Sequence, residues 1–210
     1  MQPWRLALVQ SGVVSMIDGS DVRPLEHGVD RLFVDRWSPR AMSGEAVSHG
    51  ELMRLFEAAR WAPSAGNLQP WRMLFARRET PEWPLFFDLL NPGNQPWCVN
   101  AAVLVVFISQ TTNLDSGRAI RTHSYDTGSA WENFALQGTI SGLIVHGMQG
   151  FNYDQARQTL QVPDNFAIEA MAAVGRPGRL DDLSESLRAR EAPSLRRPLN
   201  ETVIEGAYKA

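Results

Sequence analysis

Ala62-Pro63-Ser64-Ala65-Gly66-Asn67-Leu68-Gln69-Pro70-Trp71 lies between a helical pattern and a strand pattern, and its reading decides how those two elements are joined. Each proline restricts its own φ and biases the residue before it, Ala62 or Gln69, toward extended geometry. The connection is therefore stiff where most loops are free. A stiff loop can hold Ser64, Asn67 and Gln69 toward a ligand. Those same side chains can instead do no more than satisfy the loop's own backbone, and the stretch alone leaves both readings open.

Upstream, Ser48-His49-Gly50-Glu51 has the capping-box spacing, and Leu52, Leu55, Phe56 and Ala59 form an apolar stripe behind it. This predicts a helix stopped at Pro63. Further back, Val29, Leu32, Phe33 and Arg36 follow helical spacing and predict a short helix ending near Trp37. Downstream, Trp71 to Arg77 alternates as a strand does, and Val103-Leu104-Val105-Val106-Phe107-Ile108 is a continuous apolar run, read as a strand buried on both faces. Between them come a turn at 78–81, an apolar helix over 82–90 that Pro84 confines to a late start, and a turn at 91–94.

Residues 110–122 read as a polar loop. The longest helical pattern runs from Tyr125 to about Leu143 with Gly128, Gly138 and Gly142 embedded in it. Each interior glycine costs about 1 kcal/mol against alanine, so three of them point to close approach of a backbone or a ligand. A short strand at 143–145 follows, then a turn Gly147-Met148-Gln149-Gly150 with little side-chain cover over its amides. A helix at 153–160, a strand at 167–174 and a polar helix at 182–190 complete the pattern. The tail from Ala192 is an extended arm ending in a strand-like Glu201-Thr202-Val203-Ile204-Glu205, suited either to a second subunit or to the edge of its own sheet.

The 210 residues suit one domain, with 44% apolar residues to form a core. Residues 1–24 read as an N-terminal extension, or as the product of a start site upstream of Met16, and 25–210 as the domain. The apolar run in 1–24 is too short and too interrupted for a membrane span. A net charge of −3 and the absence of a basic stripe give no reason to expect nucleic acid. The single cysteine, Cys98, excludes an intramolecular disulfide and fits a reducing, cytoplasmic setting, and the four scattered histidines give no local metal signature. His123, Tyr125 and Trp97 could line a pocket, though packing explains them as well. No G-x-G-x-x-G occurs, which argues against a dedicated dinucleotide fold.

Arg36-Trp37-Ser38-Pro39-Arg40 places two guanidiniums and a hydroxyl at i, i+2 and i+4, on one face if the chain is extended. Such a face can grip a phosphate or other oxyanion. Of the 20 basic residues only Lys209 is lysine, so arginines carry weight here only through their spacing. Taken with Ala62-Pro63-Ser64-x-x-Asn67-x-Gln69-Pro70-Trp71, Gln149-Gly150-Phe151 and Arg196-Arg197-Pro198-Leu199, this segment resembles the FMN-dependent nitroreductase family in order and spacing, from about residue 28 to the C-terminus. Asn94-Gln95-Pro96-Trp97 resembles a subgroup of it.

The resemblance implies an α+β fold, a mixed and mainly antiparallel sheet sandwiched by helices, in an intertwined homodimer with FMN at the subunit interface. It implies that Arg36, Trp37 and Ser38, with Arg196 or Arg197, hold the phosphate and ribityl end, and that Arg40 approaches the pyrimidine edge. Pro63, Ser64, Ala65 and Asn67 would line the ring, and Met148, Gln149 and Gly150 would bring a backbone amide to flavin N5. The implied activity is hydride transfer from NADH or NADPH to FMN and then to a nitroaromatic or quinone-like acceptor by a ping-pong cycle. No catalytic side chain and no metal are expected, because the flavin carries the chemistry. Two alternatives stay open: a flavin-binding or interaction protein without turnover, and a relative that cleaves flavin or removes halogens.

Overall fold

The computed structural model describes residues 18–208. The apolar run within residues 1–17 therefore lies outside the described residues. Gly19 to Arg23, on the N-terminal side of the boundary expected at 24–25, pack against the first helix: the Ser20 amide donates to Asp35, and Arg23 donates to the carbonyls of Val34 and Arg36.

The elements follow in chain order as α1 (Arg31–Asp35), α2 (His49–Arg60), β1 (Trp71–Arg77), α3 (Trp83–Phe87), α4 (Gln95–Cys98), β2 (Val103–Gln110), α5 (His123–Ile140), β3 (Ile144–Met148), α6 (Tyr153–Thr159), β4 (Phe166–Gly175) and α7 (Glu185–Arg188). The four strands form one sheet in the order β1-β2-β4-β3, and every pairing among them is antiparallel. The parallel component expected of a mixed sheet is not found among the described strands.

Each face of the sheet carries its own core. Val103, Val105 and Phe107 of β2 pack with α2 and α5, through Leu52, Leu55, Ala59, Ala130 and Phe134. Leu104, Val106 and Ile108 pack oppositely, against Phe86, Leu89, Trp97, Cys98 and Ala156. A strand covered on both sides needs apolar residues at every position, which is why its run is continuous rather than alternating. The α2 start is the expected capping box, with Ser48 Oγ accepting from the Glu51 amide and the Glu51 carboxylate from the Ser48 amide.

Several local expectations need correction. Gly147 and Met148 belong to β3, so the turn is confined to Gln149 and Gly150. Beyond the turn at 91–94 a further short helix is present, α4, with Pro96 in its first turn. The helix expected over 182–190 breaks into a 3-10 turn at Leu180–Asp182 and α7. The arm is not an edge strand of its own sheet: Leu199–Glu201 is a 3-10 turn, and 202–208 pairs with no strand among the described residues.

Gln69 is not extended, as Pro70 had suggested, but has φ of +48°, next to Gly66 and Asn67 at +55° each. Such positions are strained for residues other than glycine. They persist because the loop bonds to itself: the Gln69 amide donates to Ser64 Oγ at 3.0 Å and its side chain donates to the Asn67 carbonyl at 3.1 Å.

Candidate functional site

A cavity of about 420 Å³ opens between α5 and the end of the sheet, within the usual range for small-molecule sites. Ser124, Thr127, Gly128 and Trp131 of α5 form one wall at i, i+3, i+4 and i+7, the spacing of a single helix face. Gly147, Met148 and Gln149 from the end of β3, Phe107 from β2, Glu169 and Ala170 from β4, and Ser38 complete it. Gly147 is glycine for a steric reason, since a Cβ there would stand 2.7 Å from the Trp131 ring.

The segment Arg36 to Arg40 reaches this cavity as an extended strap. Arg36 Nη1 donates to Ser38 Oγ at 3.4 Å, and the guanidinium lies 5.9 Å from the Trp131 ring centroid. Beneath the strap, His146 of β3 makes a 2.9 Å bond to the Pro39 carbonyl and packs on Trp97 with ring centroids 4.5 Å apart. Burial pushes the His146 imidazole down to about 4, with the nearby charges of Arg40 and Arg36 acting in the same direction and the Pro39 carbonyl opposing them. The ring is thus neutral and its Nδ1–H is the donor. Trp37 points away, into a smaller cavity with Pro39, Leu143 and Ile144.

Arg40 is engaged by Glu191, which is nearly buried: its carboxylate accepts from the Arg40 and Ala41 amides and meets the Arg40 guanidinium at 3.4 Å. Only one guanidinium nitrogen takes part. Arg196 and Arg197 are exposed on the arm. Arg23 ties that arm to the strap, donating to the Ser194 carbonyl at 3.0 Å as well as to Val34 and Arg36. Burial and then the charges of Arg196 and Arg36 lower the Arg23 pKa, which places three guanidiniums within reach of one another.

The turn at Gln149 and Gly150 is braced from α4. Asn94 Nδ2 donates to the Gly150 carbonyl at 2.9 Å, as does the Asn91 amide at 3.0 Å, and a Cβ on Gly150 would stand 2.6 Å from Asn94 Nδ2. Asn94-Gln95-Pro96-Trp97 therefore supports the turn rather than facing the cavity.

Pro63, Ser64, Ala65 and Asn67 do not line this cavity within the chain. Their loop is fixed beside it: the Ala65 amide donates to Asp126 Oδ2 at 3.2 Å, and the same buried carboxylate oxygen accepts from Thr122 Oγ1 at 3.0 Å. Of the site residues expected from sequence, the structure brings Ser38, Met148 and Gln149 into one cavity with Arg36 beside them. It leaves the loop on the far side of the first turn of α5.

Sequence reasoning missed Ser124, Thr127, Trp131 and Glu169. The signal available was the Ser124, Thr127, Gly128, Trp131 stripe, which is too polar to be only a core face. Two of its members are telling. Thr127 Oγ1 and Trp131 Nε1 are buried and make no hydrogen bond among the described residues, and an unsatisfied buried polar atom is costly. Both belong to cavity-lining residues. Guanidinium and hydroxyl at one end, orphaned donors in the wall and an exposed turn at the other end suit a ligand with an anionic tail and a flat ring bearing acceptor atoms.

A model of the nitroreductase family matches residues 34–82. A Streptomyces coelicolor protein, provisionally named NADH dehydrogenase/NAD(P)H nitroreductase, is 35% identical over 83 residues, which is 40% of this chain and 40% of that protein. A crystal structure described as an oxidoreductase containing FMN is 41% identical and superposes with a TM-score of 0.86 over 89% of this chain and 96% of its own. A Desulfovibrio desulfuricans protein, provisionally named a nitroreductase and crystallised with FMN, shares the fold at 24% identity, with a TM-score of 0.66 over 85% of this chain and 96% of its own.

Proposed function

The chain belongs to the nitroreductase family, and on that premise we propose that it is an FMN-dependent oxidoreductase using NADH or NADPH to reduce a small nitroaromatic or quinone-like acceptor in a ping-pong cycle. FMN held in the cavity would supply the two-electron redox chemistry of hydride transfer. The observation that carries the reading is the pair of orphaned donors, Thr127 Oγ1 and Trp131 Nε1, in a cavity rimmed by Ser38, Gln149 and Arg36.

Each residue has a role in that reading. Arg36 and Ser38 hold the phosphate and ribityl end, joined by Arg196 or Arg197 from the arm that Arg23 ties to the strap. Arg40 keeps all but one of its nitrogens for the pyrimidine edge, where a fixed positive charge favours the reduced, more negative ring. Asn94 and Asn91 fix the Gln149–Gly150 turn through the Gly150 carbonyl, and its amides would face the ring.

Pro63, Ser64, Ala65 and Asn67 complete a site across a homodimer, one protomer's loop closing its partner's cavity. The exposure of Trp61, Leu68 and Tyr125 around that loop, and of Leu195, Leu199, Val203, Ile204 and Tyr208 along the arm, supports such a surface. No helix among the described residues is long and apolar enough to cross a membrane, which is compatible with a cytoplasmic enzyme.

Purified protein is expected to be yellow, to sediment as a dimer and to bleach near ~450 nm when NADH or NADPH is added without oxygen. A yellow protein that neither cofactor bleaches would sink the enzyme reading and leave flavin binding without turnover.

A further inference from the structure

The cavity carries one built feature with no part in that reading. Phe107 pairs with Ala170 and Ile108 with Ile168, so Glu169 is the extra residue of a bulge in β4. Consecutive residues of a regular strand face opposite ways, yet Glu169 and Ala170 both line the cavity, which a bulge permits. Two other elements then grip the carboxylate. Ser124 Oγ donates to Glu169 Oε1 at 2.8 Å and Ser109 Oγ donates to the same oxygen. His123 Nδ1 stands 3.3 Å from that oxygen and 2.7 Å from Ser109 Oγ.

These distances are satisfied when the imidazole N–H donates to Ser109 and both hydroxyl protons point to Oε1. This is not a nucleophile with its base. The Ser109 proton goes to the carboxylate rather than to the imidazole, and the side chain is fully buried. What the arrangement does is hold one carboxylate in a fixed place. All of its bonds fall on Oε1, and Oε2 has no partner among the described residues.

We propose that Glu169 selects the aromatic ligand: its open carboxylate oxygen accepts from an N–H or O–H on the ring's substituent and repels aromatic anions. The inference rests on the proposed function in taking the part of this cavity left open beside bound FMN as the place where aromatic reactants would bind. A neutral carboxamide entering the cavity replaces the water it loses with a bond to Oε2. An aromatic carboxylate loses its water and meets a like charge.

Isothermal titration of the FMN-loaded protein with benzamide and with benzoate tests this. Wild type is expected to bind benzamide about tenfold or more tightly than benzoate. Glu169→Gln should retain its yellow colour while benzoate gains, bringing the two within about threefold. Equal binding by wild type, failure of benzamide to bind, or an unchanged ratio in Glu169→Gln overturns the inference. Should that variant not fold, Ser124→Ala removes one donor from Oε1 and must widen the ratio; an unchanged or narrower ratio counts against the proposal. A colourless wild-type protein would remove the functional reading itself, whereas a yellow protein indifferent to ligand charge removes this inference alone.

Discussion

Acidification acts on the strap through His146. The free imidazole titrates near 6.5, whereas in the folded chain burial holds it at about 4. Between those values the unfolded chain carries more protons than the folded one, so stability falls as the pH is lowered through the window. The loss between pH 7 and pH 4.5 comes to about 2.5 kcal/mol. With a urea dependence of about 2 kcal/mol per molar, the unfolding midpoint should drop by about 1 M. The Glu51 carboxyl, held at about 2 by the Ser48 hydroxyl and amide and by Arg176, loses its contribution as pH falls from 4.5 toward 2, and so overlaps the acid end. His146→Asn separates the two, because Asn keeps a donor near the Nδ1 position but does not titrate. Urea midpoints of wild type and variant at both pH values give the answer. If the variant's midpoint falls with pH as steeply as that of wild type, the neutral buried imidazole is not the cause and the reasoning fails.

Asp126→Ala should free the loop from α5, costing about 1–3 kcal/mol in urea unfolding and weakening FMN retention on gel filtration; unaltered retention would detach the loop from the site. Asn67→Gly keeps the left-handed backbone while removing the amide, so it should fold as wild type yet hold FMN more weakly by fluorescence titration. Gly147→Ala drives a methyl into Trp131 and should cost about 1–3 kcal/mol, with loss of yellow colour on dialysis. Cys98 is fully buried, and burial raises its thiol pKa; it should resist Ellman's reagent until denaturant is added, and prompt labelling of native protein would contradict that burial.

The elements legible in the sequence were those whose pattern is set by local chemistry. The capping box of α2, the two-sided run of β2 and Gly138 of α5 each state their environment within a few residues, whereas a Cβ on Gly128 would meet nothing within 4 Å and Gly142, at φ +67°, lies beyond the helix. Gly138 is the clearest case, since a Cβ there would collide with the Val145 side chain. What was not legible depended on partners far along the chain. Glu191 holds Arg40 from 151 positions away, and the bulge at Glu169 is defined only by its pairing with β2. The preference that Pro70 exerts on Gln69 was overridden by the Ser64 and Asn67 bonds that close the loop. The strap was recognisable from Arg36, Ser38 and Arg40, whereas the polar stripe Ser124, Thr127, Gly128 and Trp131 stood in the sequence without a stated partner until β3 lay beside it.

The bulge in β4 also bears on which residues the fold can do without. Phe166 and Ile168 lean on the same core as Met171 and Ala173, while Ala172 and Val174 face the other. Deleting Glu169 would leave that assignment intact, because Ile168 and Met171 would then stand two positions apart, as neighbours on one face of a regular strand must. The protein without this residue would keep its core and its sheet order while losing the bonds that Ser109 and Ser124 make to the carboxylate. Glu169 is thus a residue that the strand register carries but does not need, and a shortened chain that still folds would separate what builds this molecule from what it was built to hold.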